Sequence, residues 1–132
     1  GPLSKCFHTK FVTTSPIARM PDSEFIRFNS ETAGENAKAI VKMAVENFKE
    51  RGYATLGGVI LNRRNVENEK EKVEVLCNDI HSSIVGDLPR DEHVASSEGN
   101  RKPVFEMYPD CDYCNEIRRI ARYMIEHGEN HE

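Results

Sequence analysis

Asn62 and Asp91 are the residues of this 132-residue chain best placed for recognition chemistry. Each closes a short apolar run: Leu56-Gly57-Gly58-Val59-Ile60-Leu61 leads into Asn62, and Ile84-Val85-Gly86-Asp87-Leu88 leads through Pro89-Arg90 into Asp91. A primary amide carries a donor and an acceptor side by side, which matches the N6 and N7 edge of adenine. A carboxylate accepts from an exocyclic amine, and the flat ring of Pro89 suits a purine face. The same residue types also cap turns and helices, Asn62 after its run and Asp91 ahead of a helix beyond Pro89. Their pairing at consecutive strand ends puts recognition level with capping.

A second constellation is Asp110-Cys111-Asp112-Tyr113-Cys114. Two thiols at this spacing near a helix start make half a zinc site or a redox pair, because the helix dipole favours thiolate. The flanking Asp110 and Asp112 oppose that by raising the thiol pKa. No second CxxC and no histidine pair completes four ligands, although Cys6, Cys77 and His81 are available. The expectation is no metal, with Cys111 and Cys114 the candidates if one binds, and reduced thiols otherwise. His8, His93, His127 and His131 stand in polar context and read as solvated. Arg63-Arg64 suits a phosphate, a partner carboxylate or a solvated loop. No spacing implies a Ser-His or Cys-His nucleophile, and neither G-x-x-x-x-G-K-[ST] nor G-x-G-x-x-G occurs.

The elements that must position these groups follow from the apolar pattern. Residues 1–22 hold Pro2, Pro16 and Pro21 without a clean period and are expected to be irregular, with Gly1-Pro2 matching the scar of a removed tag. Residues 23–128 read as one α/β domain and residues 129–132 as a polar tail. Glu24 to Phe28 suits a short strand, Asn29-Ser30 a helix cap, and Glu31 and Glu35 the first turn. Ala37, Ile40, Val41, Ala44 and Phe48 then make an apolar helical stripe stopped by Gly52. Ala54 to Leu61 is a strand buried on both faces, whose Gly57-Gly58 permit close approach of a neighbouring backbone or helix. Glu67 to Ile80 repeats the amphipathic pattern through Val73, Leu76 and Cys77. Ser83 to Leu88 is the third strand, ended by Pro89. Tyr113, Ile117, Ile120, Ala121 and Met124 form a terminal helical stripe closed by Gly128. The alternation predicts an α/β fold, a parallel sheet of about three strands with crossover helices.

Composition sets the outer limits. At 38% hydrophobic residues, 132 residues make one domain that buries roughly two thirds of its unfolded surface. The net charge of −4, with acids and bases interleaved, argues against a nucleic-acid partner. No apolar run approaches the ~18 residues of a membrane span and no leader pattern opens the chain, so a cytoplasmic location is expected.

The Gly57–Asn65 and Leu88–Asp91 segments, followed by Glu98, Val104, Glu106, Glu116-Ile117-Arg118 and Ala121-Arg122, resemble the C-terminal half of the nitrogenase iron protein family. That family includes ATP-dependent reductases of tetrapyrrole biosynthesis. The resemblance covers about residues 33–126, and more faintly Pro16-Ile17 to Ile26. It implies a partial P-loop NTPase fold, from a family of oxidoreductases that dimerise around one [4Fe-4S] cluster and pass electrons to a partner as MgATP is hydrolysed. It also implies that Asn62, Pro89, Arg90 and Asp91 line an adenine pocket, with Glu98 near the nucleoside.

Departures from the family qualify the expectation. The phosphate loop, magnesium ligands and first cluster cysteine belong to an N-terminal half not found here. The second cluster cysteine falls by straight count on Lys10, four residues after Cys6, and the polar run after the third strand is altered at Ala95 and Ser96. Hydrolysis and electron transfer are therefore not expected of this chain alone. An adenine held without phosphate anchoring reaches only about millimolar affinity. A sheet without its flanking strands is expected to recruit a second copy or a partner protein. The alternative is a non-catalytic interaction module with a metal or redox CxxC.

Overall fold

The computed structural model of the chain describes residues 8–14, 17, 25–27, 35–52, 54–65 and 67–127. Four strands, β1 (His8–Thr13), β2 (Phe25–Arg27), β3 (Ala54–Asn62) and β4 (Ile84–Leu88), form one sheet in the order β2-β1-β3-β4. All three pairings are parallel. Helix α1 (Glu35–Arg51) connects β2 to β3, and α2 (Glu69–Asp79) connects β3 to β4. Helices α3 (Glu92–Gly99), α4 (Val104–Met107) and α5 (Asp112–His127) follow. The α/β class and the parallel sheet agree with the sequence; the expectation of about three strands falls one short.

The extra strand is β1, inside the segment expected to be irregular, and it lies between β2 and β3. Its core residues, Phe11 at 1% and Val12 at 0% exposure, face opposite sides of the sheet. The remaining buried positions are threonines, Thr9, Thr13 and the adjoining Thr14. A strand covered on both faces has no polar alternation, and threonine hides its strand preference behind a polar label. The Asn29-Ser30 cap, Cys6 and the Gly128 stop lie outside the described residues.

Successive residues feed two cores, as the two-residue period of a strand requires. On one face Val12, Val59 and Leu61 pack with Val41 and Val45 of α1 and Val73 and Leu76 of α2. On the other, Phe11, Ile60 and Leu88 pack with Val104, Tyr113, Ile117 and Ile120. Each such side chain, fully buried, contributes about 1.5–3 kcal/mol. Ile40, expected in the α1 stripe, is 67% exposed, because Val41 and Val45 take the sheet-facing positions. Gly52, with φ of 72°, follows α1 as its stop.

The glycine pair in β3 admits neighbouring side chains rather than the backbone or helix expected. A Cβ on Gly57 would lie 2.6 Å from Phe11 Cζ and Thr9 Cγ2, and one on Gly58 would lie 2.7 Å from both Val85 Cγ atoms. Helices pack on both faces of the sheet. At the β4 edge the backbone is also occupied. The Asp87 N–H donates to Glu116 Oε2 at 2.9 Å, and Arg119 Nη2 donates to the Val85 carbonyl at 2.8 Å. No helix among the described residues is long and apolar enough to cross a membrane.

Candidate functional site

Parallel pairing of β3 with β4 sets Asn62 opposite Leu88, so the segments that follow leave the sheet at the same end. The Arg63 N–H extends this ladder to the Leu88 carbonyl at 2.9 Å. Loops beyond the carboxyl ends of adjacent parallel strands are where α/β sheets bind ligands. A cleft of about 520 Å³ opens there, and Asn62, Pro89, Arg90, Asp91 and Glu98 all line it. Ile17 and Tyr113, both buried, join Val94 and the altered position Ala95 in its apolar part.

Asn62 is fixed by Thr14. Its N–H donates to Thr14 Oγ1 at 3.0 Å, and that hydroxyl donates to the Asn62 carbonyl at 3.1 Å. Thr14 is 1% exposed, so the pair forms away from competing water. Sequence reading missed Thr14, because nothing local announces that a hydroxyl 48 residues away completes the ladder.

Asp91 is the N-cap of α3. Its Oδ1 accepts from the His93 N–H at 2.9 Å and contacts His93 Nδ1 at 2.6 Å, while Oδ2 accepts from the Tyr113 N–H at 3.3 Å. Burial pushes the carboxyl pKa up, but the His93 and Tyr113 hydrogen bonds outweigh it and hold Asp91 below the usual carboxylate range. The capping reading is therefore realised. Of the four acceptor positions of a carboxylate, Oδ2 keeps one for a ligand. His93, expected to be solvated, instead holds Asp91 and packs its ring against Tyr108 at 4.5 Å.

The arginines divide. Arg63 makes a bidentate pair with Asp87, both contacts at 2.7 Å. That bond lowers the Asp87 pKa against the opposing effect of burial, and the same bond raises Arg63. Of the three fates expected for Arg63-Arg64, Arg63 takes a carboxylate within its own chain. Arg64 and Arg90 are exposed on the cleft wall. The Arg64 N–H donates at 2.8 Å to Oε2 of Glu69, a carboxylate only 3% exposed that shapes the loop after β3.

The cysteines separate by face. Cys77 packs in the α1/α2 core and Cys114 in the α5 core, so Cys77 stands apart from the CxxC. Burial, then the neighbouring Cys111 thiol, push the Cys114 thiol up to about 11, with the Asp91 charge adding least. At Cys114 the direction is the one expected, but its causes are burial and Cys111 rather than Asp110 and Asp112. Burial likewise pushes Cys77 up to about 11.

Residues 14–131 match the family described as 4Fe-4S iron sulfur cluster binding proteins, NifH/frxC family. This chain belongs to the NifH/frxC family. It is 40% identical over 93 residues to a nitrogenase iron protein 1 of Methanothermobacter thermautotrophicus, a match covering 70% of this chain and 34% of that protein. It is 35% identical over 94 residues to a nitrogenase iron protein 1 of Methanobacterium ivanovii, covering 71% and 32% respectively. The chain thus spans about a third of the length of these relatives. The resemblance seen in residues 33–126 holds over a longer span.

The described residues of this NifH/frxC member do not fit the family's cluster. The straight-count ligand position is Lys10 in β1, whose ammonium is no iron ligand, and Cys77 lies on the sheet face opposite Cys111 and Cys114. The cleft does fit a nucleoside, with apolar walls and a few convergent polar groups.

Proposed function

We infer that the cleft between β3 and β4 holds the adenine of an adenine nucleotide, and that this chain is the adenine-binding portion of an ATP-dependent NifH/frxC-type reductase. The observation that supports it best is the convergence of Asn62, Pro89, Arg90, Asp91 and Glu98 on one cleft. In this reading the Asn62 amide faces the N6 and N7 edge, and Asp91 Oδ2 accepts from the exocyclic amine. Pro89 stacks on the ring, and Glu98 faces the ribose. Arg64 and Arg90 supply positive charge for phosphates on the open side. When bound, MgATP supplies the phosphoryl group whose hydrolysis drives electron transfer in the family.

The chain alone binds weakly and neither hydrolyses ATP nor transfers electrons. Adenine has about 10 heavy atoms, and at ~0.4 kcal/mol each the gain is about 4 kcal/mol, which corresponds to a Kd of about 1 mM. Titration calorimetry with MgATP, MgGTP and adenosine tests the reading. The expected result is ATP and adenosine binding near millimolar, with GTP at least tenfold weaker, because its O6 sets an acceptor against Asp91. Equal affinity for ATP and GTP, or no binding at 10 times that concentration, overturns it.

Association with a second copy or a partner protein belongs to the same reading, supported by Ile40 and Met43, each 67% exposed on one side of α1. Light scattering that finds only monomer at high concentration overturns self-association.

A further inference from the structure

The CxxC does not stand alone in three dimensions. Ligand atoms of Asp91, His93 and Cys111 all lie within 4.8 Å of one another, brought together from the N-cap of α3, its first turn and the residue preceding α5. Cys114, the third residue of α5, is the next thiol to this group: it is buried in the same core that Cys111 packs against, and lies outside the 4.8 Å cluster. The missing partners of the CxxC are thus an imidazole and a carboxylate 18 and 20 residues upstream, too irregular a spacing to read from the sequence.

The donor set is selective. Two thiols and an imidazole exclude the oxygen-seeking magnesium and calcium ions and suit zinc, which is held tetrahedrally by sulfur, nitrogen and carboxylate oxygen. With zinc bonds of about 2.0–2.3 Å, ligand atoms stand roughly 3.3–3.8 Å apart. Asp91, His93 and Cys111 therefore need to draw together by at most about 1 Å, Cys114 has to turn in from outside that group, and the Asp91–His93 contact of 2.6 Å opens by a little under about 1 Å. His93 has the freedom to do this, its side chain being 44% exposed, and it offers the ion an entry path.

We propose that Asp91, His93, Cys111 and Cys114 bind one zinc-class divalent cation, clamping the start of α5 to the cap of α3. As the ion enters, both thiols release their protons to solvent, and the ion replaces the hydrogen bond that joins His93 to Asp91. The resulting site carries two thiolates, one carboxylate and a neutral imidazole around a double positive charge. Asp91 is shared with the adenine reading, so the two are tested separately, the metal without nucleotide.

Cobalt substitution tests it on the full chain, reduced and free of nucleotide. Titration with Co²⁺ is expected to give one equivalent of tetrahedral cobalt, with thiolate-to-cobalt absorption that Zn²⁺ displaces stoichiometrically. Cys111→Ser and Cys114→Ser are each expected to cut that absorption by about half and to weaken binding at least tenfold. His93→Gln is expected to weaken binding tenfold or more while leaving the circular dichroism unchanged, which keeps the test valid if a cysteine variant fails to fold. Cys6→Ser and Cys77→Ser are expected to leave the cobalt spectrum intact. Absence of a thiolate band in the reduced chain overturns the proposal. So does a band that survives the double Cys111→Ser, Cys114→Ser variant, or conversion of the pair to a disulfide that zinc does not prevent.

Discussion

Thr14 and Asn62 exchange two hydrogen bonds through a single hydroxyl, at 3.0 and 3.1 Å, and so join the ends of β1 and β3 beneath the cleft. The side chain of one strand acts here as backbone for the other. Thr14→Val keeps the shape but strands the Asn62 N–H and carbonyl, at a cost of about 1–3 kcal/mol. Thermal unfolding should shift down by roughly 4 °C per kcal/mol. Adenosine binding should weaken as well, because Asn62 loses its backbone anchor. A Tm within 1 °C of the parent would show that the pair contributes nothing.

Two of the roles given to Asp91, helix cap and adenine recognition, are separated by substitution. Asn is as good an N-cap as Asp, so Asp91→Asn should leave α3 nearly as stable, whereas Asp91→Ala should cost about 1 kcal/mol through loss of the His93 N–H partner. Asp91→Ala should also abolish measurable adenosine binding. Urea denaturation and calorimetry on the two variants check both statements. Equal destabilisation by Asn and Ala would remove the capping role, and undiminished adenosine binding by the Ala variant would remove the recognition role.

Much of this arrangement was legible in the sequence because it is local. The run Val59-Ile60-Leu61 followed by Asn62, and Pro89 after Leu88, mark strand ends directly, and the α5 stripe shows in the spacing of Tyr113, Ile117 and Ile120. What stayed hidden depends on pairing at long range. β1 hides because its threonines become buried partners of a strand far along the chain. His93 reads as solvated until the fold sets Asp91 and Tyr108 beside it. Gly57 and Gly58 signal close approach, but only the registers with β1 and β4 show that Phe11 and Val85 fill the space.

Acid should unfold the chain by a predictable route. Asp87 is held below its ordinary value chiefly by Arg63, and Glu116 chiefly by Arg119. At Asp91 burial pushes upward, but the His93 and Tyr113 bonds prevail. A carboxyl whose folded pKa is depressed binds fewer protons folded than unfolded, so its stabilisation is present above the unfolded value and is lost as pH falls through the folded one. The ordinary values are 3.8 for the aspartates and 4.5 for Glu116. The urea midpoint should therefore fall steadily below about pH 5. Asp87→Asn should make that acid limb shallower, and an unchanged limb would exclude the Arg63–Asp87 pair as a contributor.

Glu116 and Arg119 latch α5 onto the free side of β4, where an open edge would otherwise offer the Asp87 N–H and Val85 carbonyl to another strand. Arg119 also grips Glu116 through Nε and Nη2 at 2.8 and 2.7 Å, so one substitution loosens both contacts. Glu116→Ala should lose about 1–2 kcal/mol and leave the Asp87 amide unpartnered, while Glu116→Gln, whose amide oxygen still accepts from that N–H, should lose less. Hydrogen exchange read at the Asp87 amide distinguishes the cases: protection should collapse in the Ala variant and largely persist in the Gln variant. Light scattering on the same samples should show the Ala variant associating more readily as the edge opens. An Asp87 amide equally protected in all three proteins would mean that the edge is closed by something other than this latch.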